Sequence, residues 1–210
     1  MEPYVNDEHQ AEAVKEWLRD NGGAIAVGVI LGLAGIFGWQ YWQRYQATQA
    51  EQASTDYQIL VKAIEAGDRD QARRQGEALL GGYPKSAYAA LGALQLARLA
   101  VESNDYAKAA EHLRWAVANA GLEETRIIAR LRLARVLLAQ GQLDQAEAEL
   151  NQVTLEAFQG ERQELLGDLY LQRSDPSKAR AAYEAARAAG GASPLLPLKL
   201  DSLGGAGAAS

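Results

Sequence analysis

Residues that could act as acids, bases, nucleophiles or metal ligands are few in this sequence and stand apart from one another. The 210 residues include two histidines, His9 and His112, and no cysteine. Neither histidine has a nucleophile, carboxylate or second metal ligand at the spacing that acid–base catalysis or metal binding requires. His112 is therefore interpreted as a surface or packing residue of a helix. The pair Glu123 and Glu124 lies in a predicted loop and is interpreted as solvated charge.

One short stretch, GGYPKS at residues 81–86, contains glycines and a lysine, as phosphate-binding loops do. Tyr83 and Pro84 separate the glycines from Lys85, however, and no strand pattern precedes the stretch. We therefore reject a phosphate site. No residue is assigned as catalytic, cofactor-binding or metal-binding, and the sequence predicts a protein that is not an enzyme and uses no cofactor.

The composition predicts an all-α protein. Alanine, leucine, glutamine and glutamate are abundant, whereas the chain has only five prolines. The net charge is −6, and the first 23 residues hold six of the acidic residues against Lys15 and Arg19. No basic stripe is present of the kind that releases counterions from nucleic acid, so nucleic-acid binding is excluded.

A long apolar segment near the N-terminus predicts a transmembrane anchor at residues 24–43. Residues 22–39 contain no charge, hydroxyl or amide, and a helix over residues 24–42 would rise about 28 Å, close to the hydrocarbon thickness of a bilayer. Aromatic residues that favour the headgroup level cluster at its downstream end: Trp39, Tyr41, Trp42 and Tyr45.

Two other interpretations of the apolar segment fail. A cleaved signal peptide needs a basic start, a shorter apolar run and small residues at a cleavage site, and all three are missing. A buried core helix would need a larger domain to surround it. Lys15 and Arg19 precede the segment, and only Arg44 follows it closely, which favours a cytoplasmic N-terminal tail at residues 1–23.

The anchor contains a stripe of small residues at helical spacing, formed by Ala24, Gly28 and Gly32. Such a stripe allows a second membrane helix to approach closely, so we expect these residues to pack against one. The alternative is that glycine is simply common in membrane helices.

The region after the anchor contains an internal repeat. Four segments begin with a polar turn at Gly67, Asn104, Gly141 and Ser174, which are 37, 37 and 33 residues apart, and each follows an amphipathic helix. Each segment has an alanine five residues after its first residue. The facing positions of the preceding helices are Leu60, Ala97, Ala134 and Gly167, and three of these four residues are small. We therefore predict close helix packing at Ala72, Ala97, Ala109, Ala134, Ala146, Gly167 and Ala179.

This pattern resembles the tetratricopeptide repeat, whose period is about 34 residues, and the resemblance covers residues 53–190. It implies an α-solenoid of about four helix hairpins in a domain at residues 44–203, followed by a disordered Gly/Ala-rich tail at residues 204–210. No glycine or proline interrupts residues 42–66, so the anchor helix can continue into the first repeat helix. A hinge at residues 49–55 is the alternative.

The first helices of tetratricopeptide arrays line a concave groove, which implies a partner-binding surface in this chain. Its predicted residues are Tyr57, Leu91, Leu94, Arg98, Ile128, Leu131, Arg135 and Leu138. Arg98 and Arg135 would hold a carboxylate or backbone carbonyls, and an apolar strip rimmed by charge suits an extended or helical peptide. The alternative is that the chain's own segment at residues 193–203, which is apolar enough to need burial, caps or occupies this groove.

The sequence also resembles one particular family. The stretches AVKEWLRDNG, AVGVILGLAGIFGWQYW, LRLARV and SDPSKARAAYEAARAAG are similar to the YfgM family, ancillary subunits of the bacterial SecYEG translocon. The resemblance implies a single-pass inner-membrane protein with a cytoplasmic N-terminus and a periplasmic repeat domain. It also implies three partners: the SecYEG translocon, a membrane-anchored periplasmic prolyl-isomerase-like chaperone, and translocating polypeptides. The alternative is a scaffold of another envelope complex, in cell division or cytochrome maturation.

Overall fold

A computed structural model of the chain describes residues 5–190 and 193–206, and this part is helical and contains no strand. The prediction of an all-α protein is confirmed. The helices are α1 (Val5–Glu65), α2 (Arg69–Gly82), α3 (Ala87–Glu102), α4 (Tyr106–Asn119), α5 (Glu123–Ala139), α6 (Leu143–Asn151), α7 (Gln159–Gln172), α8 (Pro176–Ala189) and α9 (Leu196–Ala206), with a 3₁₀ turn at Glu156–Phe158 before α7.

The chain divides into two compact units, Met1–Gln49 and Ala50–Ser210. The first unit consists of the N-terminal part of α1, which is long and apolar enough to cross a membrane. Its large apolar side chains are exposed, among them Ile30, Leu31, Phe37 and Trp42. An exposed apolar surface of this length is unfavourable in water and suits a lipid environment.

The second unit contains the four predicted helix hairpins. The part of α1 after residue 49 pairs with α2, and the pairs α3–α4, α5–α6 and α7–α8 follow. Residues 49–55, where the sequence left a hinge open, are helical. The additional helix α9 packs on α8 and extends to Ala206. The predicted disordered tail at residues 204–210 thus overlaps the end of α9, and its residues 207–210 lie outside the described residues.

The four hairpin turns share one backbone conformation. The first residue of each repeat segment has a positive φ between 60° and 75°: Gly67, Asn104, Gly141 and Ser174. The N–H of the next residue then bonds, at 2.8–3.0 Å, to a carbonyl five residues earlier. This geometry satisfies carbonyls that the helix end leaves free. Three of the turns continue into an aspartate whose side chain caps the second helix: Asp68, Asp105 and Asp175.

Small residues allow the helices of the second unit to approach one another. The alanines at the predicted packing positions are all buried. Where a buried glycine lies at a helix contact, a larger side chain of the neighbouring helix occupies the space. A Cβ on Gly76 would lie 2.6 Å from Leu96, and a Cβ on Gly167 would overlap the ring of Tyr183. Small and large residues thus alternate across the helix contacts, which keeps the core closely packed.

The core consists of three apolar clusters. The largest is formed by buried leucines and alanines of α3 to α8, including Leu113, Leu133 and Leu137. A second joins the end of α1 to α2 and α3 through Leu60 and Leu79. The third lies at the C-terminal end, where α8 packs against α9, and contains Ala179, Tyr183, Ala186 and Leu196. The first helices α3, α5 and α7 contact one another in sequence order and form the wall on which the predicted groove lies.

Candidate partner-binding groove

The predicted groove residues occupy two different environments. Arg98 and Arg135 are exposed, and Tyr57, Leu91 and Ile128 are half-buried. By contrast Leu131 is only 1% exposed and belongs to the main core, so its assignment to a partner-binding surface is wrong. The helix α5 is apolar on more than one face, and the face that contains Leu131 packs against the neighbouring helices. Leu94 and Leu138 are also buried, at 6% and 5% exposure, and only their edges reach a surface cavity.

A cavity of about 310 Å³ lies between α3 and α5, and we call it the arginine pocket. Its apolar surface comes from both first helices and from the second helix α4. Three guanidinium groups belong to its rim. Its residues are Leu94, Ala97, Arg98, Val101, Tyr106, Leu113, Arg132, Arg135, Val136 and Ala139.

The arginines of this pocket differ in their partners. Arg98 donates from Nε to Glu102 at 3.0 Å within α3, and Arg135 donates to Glu161 of α7 at 2.9 Å. Each of these arginines already binds one carboxylate of this chain, and the prediction that they hold a partner's carboxylate or backbone carbonyls stays a prediction. Arg132 is exposed and forms no ion pair with any residue that the structure describes.

A second cavity of about 370 Å³ adjoins the arginine pocket, between α5 and α7. The two cavities share Arg135 and Ala139. The second one is also bounded by Leu138, Asp168 and Leu171. The two cavities together follow the wall of first helices, in the direction that the repeat pattern predicts for a groove.

The acidic end of the predicted groove is covered by the chain's own C-terminal segment. Lys199 of α9 lies 2.7 Å from Asp168 and 2.8 Å from Glu164. Glu164 is 5% exposed and also accepts hydrogen bonds from the backbone N–H and the hydroxyl of Ser193, at 2.7 and 2.6 Å. Asp168 accepts a further bond from the Tyr183 hydroxyl at 2.7 Å. At this end the chain's own segment at residues 193–203 therefore covers the groove, which is the alternative that the sequence left open.

The buried network changes the acidity of its members. Burial alone would raise the pKa of Glu164, but the hydrogen bonds from Lys199 and Ser193 outweigh it, and the pKa lies below its usual value. Burial would lower the pKa of Lys199, but the two carboxylates outweigh it and raise that pKa. The pKa of Tyr183 is raised by burial and by its bond to Asp168. All three groups are thus held in the protonation states that they have at neutral pH.

The opposite end of the groove is aromatic. Tyr57 of α1 packs against Tyr88 of α3, with ring centroids 5.8 Å apart and ring planes tilted by 40°. Leu91 packs against the main core with part of its side chain exposed. Tyr57, Tyr88 and Leu91 are all half-buried, so parts of their side chains form the surface at this end.

Among the residues of the arginine pocket that sequence reasoning missed, Arg132 and Tyr106 are the two with polar groups. Arg132 precedes Arg135 by three residues, so both lie on one face of α5, and this spacing was a readable signal. Tyr106 is the first residue of α4 and comes to the pocket from a second helix of the repeat. The repeat pattern assigns second helices to the outer side, so it contains no signal for Tyr106.

His112 is a packing residue of α4 and is 7% exposed. Burial and the nearby charge of Lys108 lower its pKa, so the ring is held neutral. Among the residues that the structure describes, no group of three or more histidines and carboxylates is placed to hold a metal ion. Ser103 and Lys108 line the same cavity as His112, but among the described residues no hydrogen bond joins either of them to the imidazole.

The small residues of the anchor lie on one exposed face of α1. Ala24, Gly28 and Gly32 are exposed, and a Cβ added to Gly28 or Gly32 would meet no atom within 4 Å. At the downstream end, the rings of Trp39 and Trp42 pack with centroids 5.4 Å apart. The stripe is open for a second helix, and its packing role stays a prediction.

The fold and the groove define a class of protein: a helical-repeat interaction protein with an apolar N-terminal helix. The tetratricopeptide repeat-like domain family matches residues 15–205. An ancillary SecYEG translocon subunit of Escherichia coli K12 is 37% identical over 190 residues, which is 88% of this chain and 89% of the relative. An ancillary SecYEG translocon subunit of Haemophilus influenzae Rd is 33% identical over 186 residues, 89% and 91% of the two chains.

The chain belongs to the YfgM family of tetratricopeptide-repeat-like proteins, as its sequence predicted. This family is one of non-enzymatic protein-interaction scaffolds, so the chain is not an enzyme. The solved structure of Pseudomonas aeruginosa pilF has the same fold, with a TM-score of 0.60 at 22% identity over 74% of this chain and 69% of that one. At this identity the likeness is one of fold alone.

Proposed function

We propose that this protein is an ancillary subunit of the SecYEG translocon in the bacterial inner membrane. Residues 24–43 form its single membrane span, residues 1–23 lie in the cytoplasm, and residues 44–203 form a periplasmic repeat domain. The observation that carries the proposal is the match to relatives of that name along both regions, since the E. coli relative aligns with 88% of the chain.

The first part of the proposed mechanism concerns the anchor. Its exposed leucines, isoleucines and aromatic residues suit contact with lipid, whereas Ala24, Gly28 and Gly32 leave one face without bulky side chains. A helix of the translocon would pack on that face, because small residues allow close approach of two backbones. The anchor would thus hold the repeat domain beside the exit of the channel.

The second part concerns the groove. Its open cavities between α3, α5 and α7 would bind a membrane-anchored periplasmic prolyl-isomerase-like chaperone or a segment of the translocating polypeptide. The support is an apolar surface with charged residues at its edge, which is typical of peptide-binding grooves. By binding both, the protein would link emerging polypeptides to periplasmic chaperones.

The test is quantitative recovery of partners with the full-length protein in mild detergent. In the variant Gly28→Leu/Gly32→Leu, we expect recovery of translocon subunits to fall several-fold, because the added side chains separate the helices. The control Gly23→Leu/Ala34→Leu also adds two leucine side chains, on the opposite face of the helix, and should leave recovery unchanged. Recovery of another envelope complex in place of the translocon, such as a division or cytochrome-maturation assembly, would overturn the proposal.

The topology has a separate test that uses the absence of cysteine from the chain. A single cysteine at Ser177, which is exposed on α8, should react with a membrane-impermeant maleimide in spheroplasts. A single cysteine at Ala11 should react only after the membrane is permeabilised. The reverse labelling pattern would contradict the proposed orientation.

A further inference from the structure

The arginine pocket has a chemistry that specifies its occupant. We propose that it binds an acidic polypeptide segment in which an apolar side chain lies next to a carboxylate. This inference rests on the proposed function and gives the chemistry of the chain that the groove binds.

The first support is the apolar surface of the pocket. Leu94, Val101, Tyr106 and Val136 contribute to it, and Val101 is among the large apolar residues of the repeat unit that remain exposed. The volume of about 310 Å³ lies at the lower end of the range of about 300–1,000 Å³ found for ligand pockets. The pocket therefore has room for an apolar side chain and its neighbours, and a purely charged occupant would leave this surface uncovered.

The second support is the balance of charge around the pocket. Arg98, Arg132 and Arg135 contribute three positive charges, and the two carboxylates bound to them are Glu102 and Glu161. A positive charge remains, although the chain as a whole has a net charge of −6. The pocket thus attracts acidic segments against the general charge of the protein.

The third support is the number of free donors. A guanidinium group has several N–H donors in a planar fork and binds carboxylates better than an ammonium group does. The recorded bonds to Glu102 and Glu161 use one nitrogen each of Arg98 and Arg135. Arg132 forms no ion pair within the described part of the chain, so its donors can bind a partner's carboxylate without displacing one of the protein's own.

The acidic end of the same groove gives a fourth support, because it is already occupied by a cation of this chain. Glu164 and Asp168 would attract a basic segment, but Lys199 of this chain already lies within 2.8 Å of both. Lys199 therefore balances one of these two negative charges, and Ser193 and Tyr183 donate further hydrogen bonds to the carboxylates, whereas positive charge stays open between α3 and α5.

The experiment measures binding of labelled peptides to the full-length protein in nanodiscs of zwitterionic lipid. One short peptide alternates leucine with glutamate, and a matched peptide alternates leucine with lysine. Fluorescence anisotropy should show binding of the acidic peptide only. The variant Arg132→Glu should weaken that binding about tenfold or more, because it removes a charge-assisted hydrogen bond and adds a repulsive charge.

The matched control is Arg180→Glu, which makes the same charge change at an exposed position of α8 outside both cavities. It should leave the affinity within about twofold, because a rim charge far from the site is screened by salt. Equal weakening by both variants would overturn the assignment to this pocket, as would equal binding of the acidic and basic peptides. Displacement of the peptide by glycerol phosphate, an anionic lipid headgroup, would overturn the choice of polypeptide as the occupant.

The outcomes separate this inference from the proposed function. Recovery of the translocon without discrimination between the peptides would leave the proposed function standing and overturn the pocket inference. Selective peptide binding that depends on Arg132, without recovery of the translocon, would support the pocket chemistry and contradict the proposed function. Circular dichroism of Arg132→Glu must match the parent spectrum, and the milder variant Arg132→Gln should give an intermediate loss of affinity.

Discussion

Two hairpins of the repeat domain, α5–α6 and α7–α8, are built on the same pattern and solve the packing problem differently. In α5–α6 the small residues Ala134 and Ala146 are both buried in an apolar core. In α7–α8 the corresponding position of the first helix is Gly167, and the ring of Tyr183 occupies the space. Around that ring lie a buried glutamate, an aspartate and a lysine from α9.

The difference follows from the place of each hairpin in the array. The hairpin α5–α6 has a neighbour on both sides, so apolar surfaces are covered on both. The hairpin α7–α8 is the last, and a solenoid needs a cap at its end. Here α9 provides the cap through Leu196 and Lys199, so the charges at this end serve the fold. Beside α5, by contrast, Arg132 forms no ion pair with any described residue.

The largest predicted effect on stability comes from giving α7–α8 the alanine that α5–α6 has at the corresponding position, Ala134. Gly167→Ala should lower the free energy of unfolding by about 3 kcal/mol, because the new methyl group overlaps the buried ring of Tyr183. The measurement is urea denaturation of the full-length protein in mild detergent. Gly81→Ala is the control, since its Cβ meets no atom within 4 Å, and it should not destabilise. Equal stability of Gly167→Ala and the parent would contradict the close packing described for α7–α8.

The next effect tests the cap. Lys199→Met should lower the free energy of unfolding by about 2 kcal/mol, because it leaves the buried Glu164 without its cation while keeping most of the apolar stem. The same denaturation measurement applies. Lys178→Met, which removes an exposed ion pair with Asp175 on the same hairpin, should cause no measurable change. A similar loss in both variants would mean that α9 contributes no more than a surface charge does.

The third prediction concerns acid. The pKa of Glu164 is lowered in the folded protein, so its ionised form adds stability above the unfolded-state pKa of about 4.3, and this stability is lost as the pH falls through the folded-state pKa. In Glu164→Gln the decrease of the urea midpoint between about pH 5 and pH 3 should therefore be shallower than in the parent. The control Glu184→Gln removes an exposed carboxylate of the same hairpin and should follow the parent curve.

The smallest effect concerns the turns. Ser174 has a φ of 60°, where Gly141 stands at the equivalent turn of α5–α6. Ser174→Gly should raise the free energy of unfolding by up to about 1 kcal/mol, because a residue with a Cβ is strained in this conformation. The reverse change, Gly141→Ser, should lower it by a similar amount. If both substitutions moved stability in the same direction, the two turns would not be equivalent.

Much of the fold could be predicted because the signals are local. The apolar run of residues 22–39 predicts a membrane-competent helix by length alone. The repeat segments were read from their turn residues and from alanines at fixed offsets, and the structure has the turn conformation at Gly67, Asn104, Gly141 and Ser174. Each of these features depends only on residues that are close together in the sequence, so the sequence pattern is sufficient to predict it.

The groove was harder to predict because exposure depends on neighbours that are distant in sequence. Leu131 has the repeat position of a groove residue and is nevertheless core. Tyr106 belongs to a second helix and still lines the pocket. No carboxylate lies three or four residues from Arg135 in the sequence, and its ion-pair partner Glu161 is 26 residues further along the chain. The repeat pattern predicts on which face of its helix a residue lies. It does not predict how neighbouring helices are oriented, and their orientation decides which of these residues are buried.

The sequence by itself determined the number of hairpins, the place of each turn, the apolar N-terminal helix and the family. These follow from helix periodicity, from turn residues and from extended similarity. Only the tertiary structure decided which charges are internal and which are open, because an ion pair forms across helices whose separation is set by packing. Lys199 binding Glu164 and Asp168, and Arg132 remaining without a partner among the described residues, are both results of that packing.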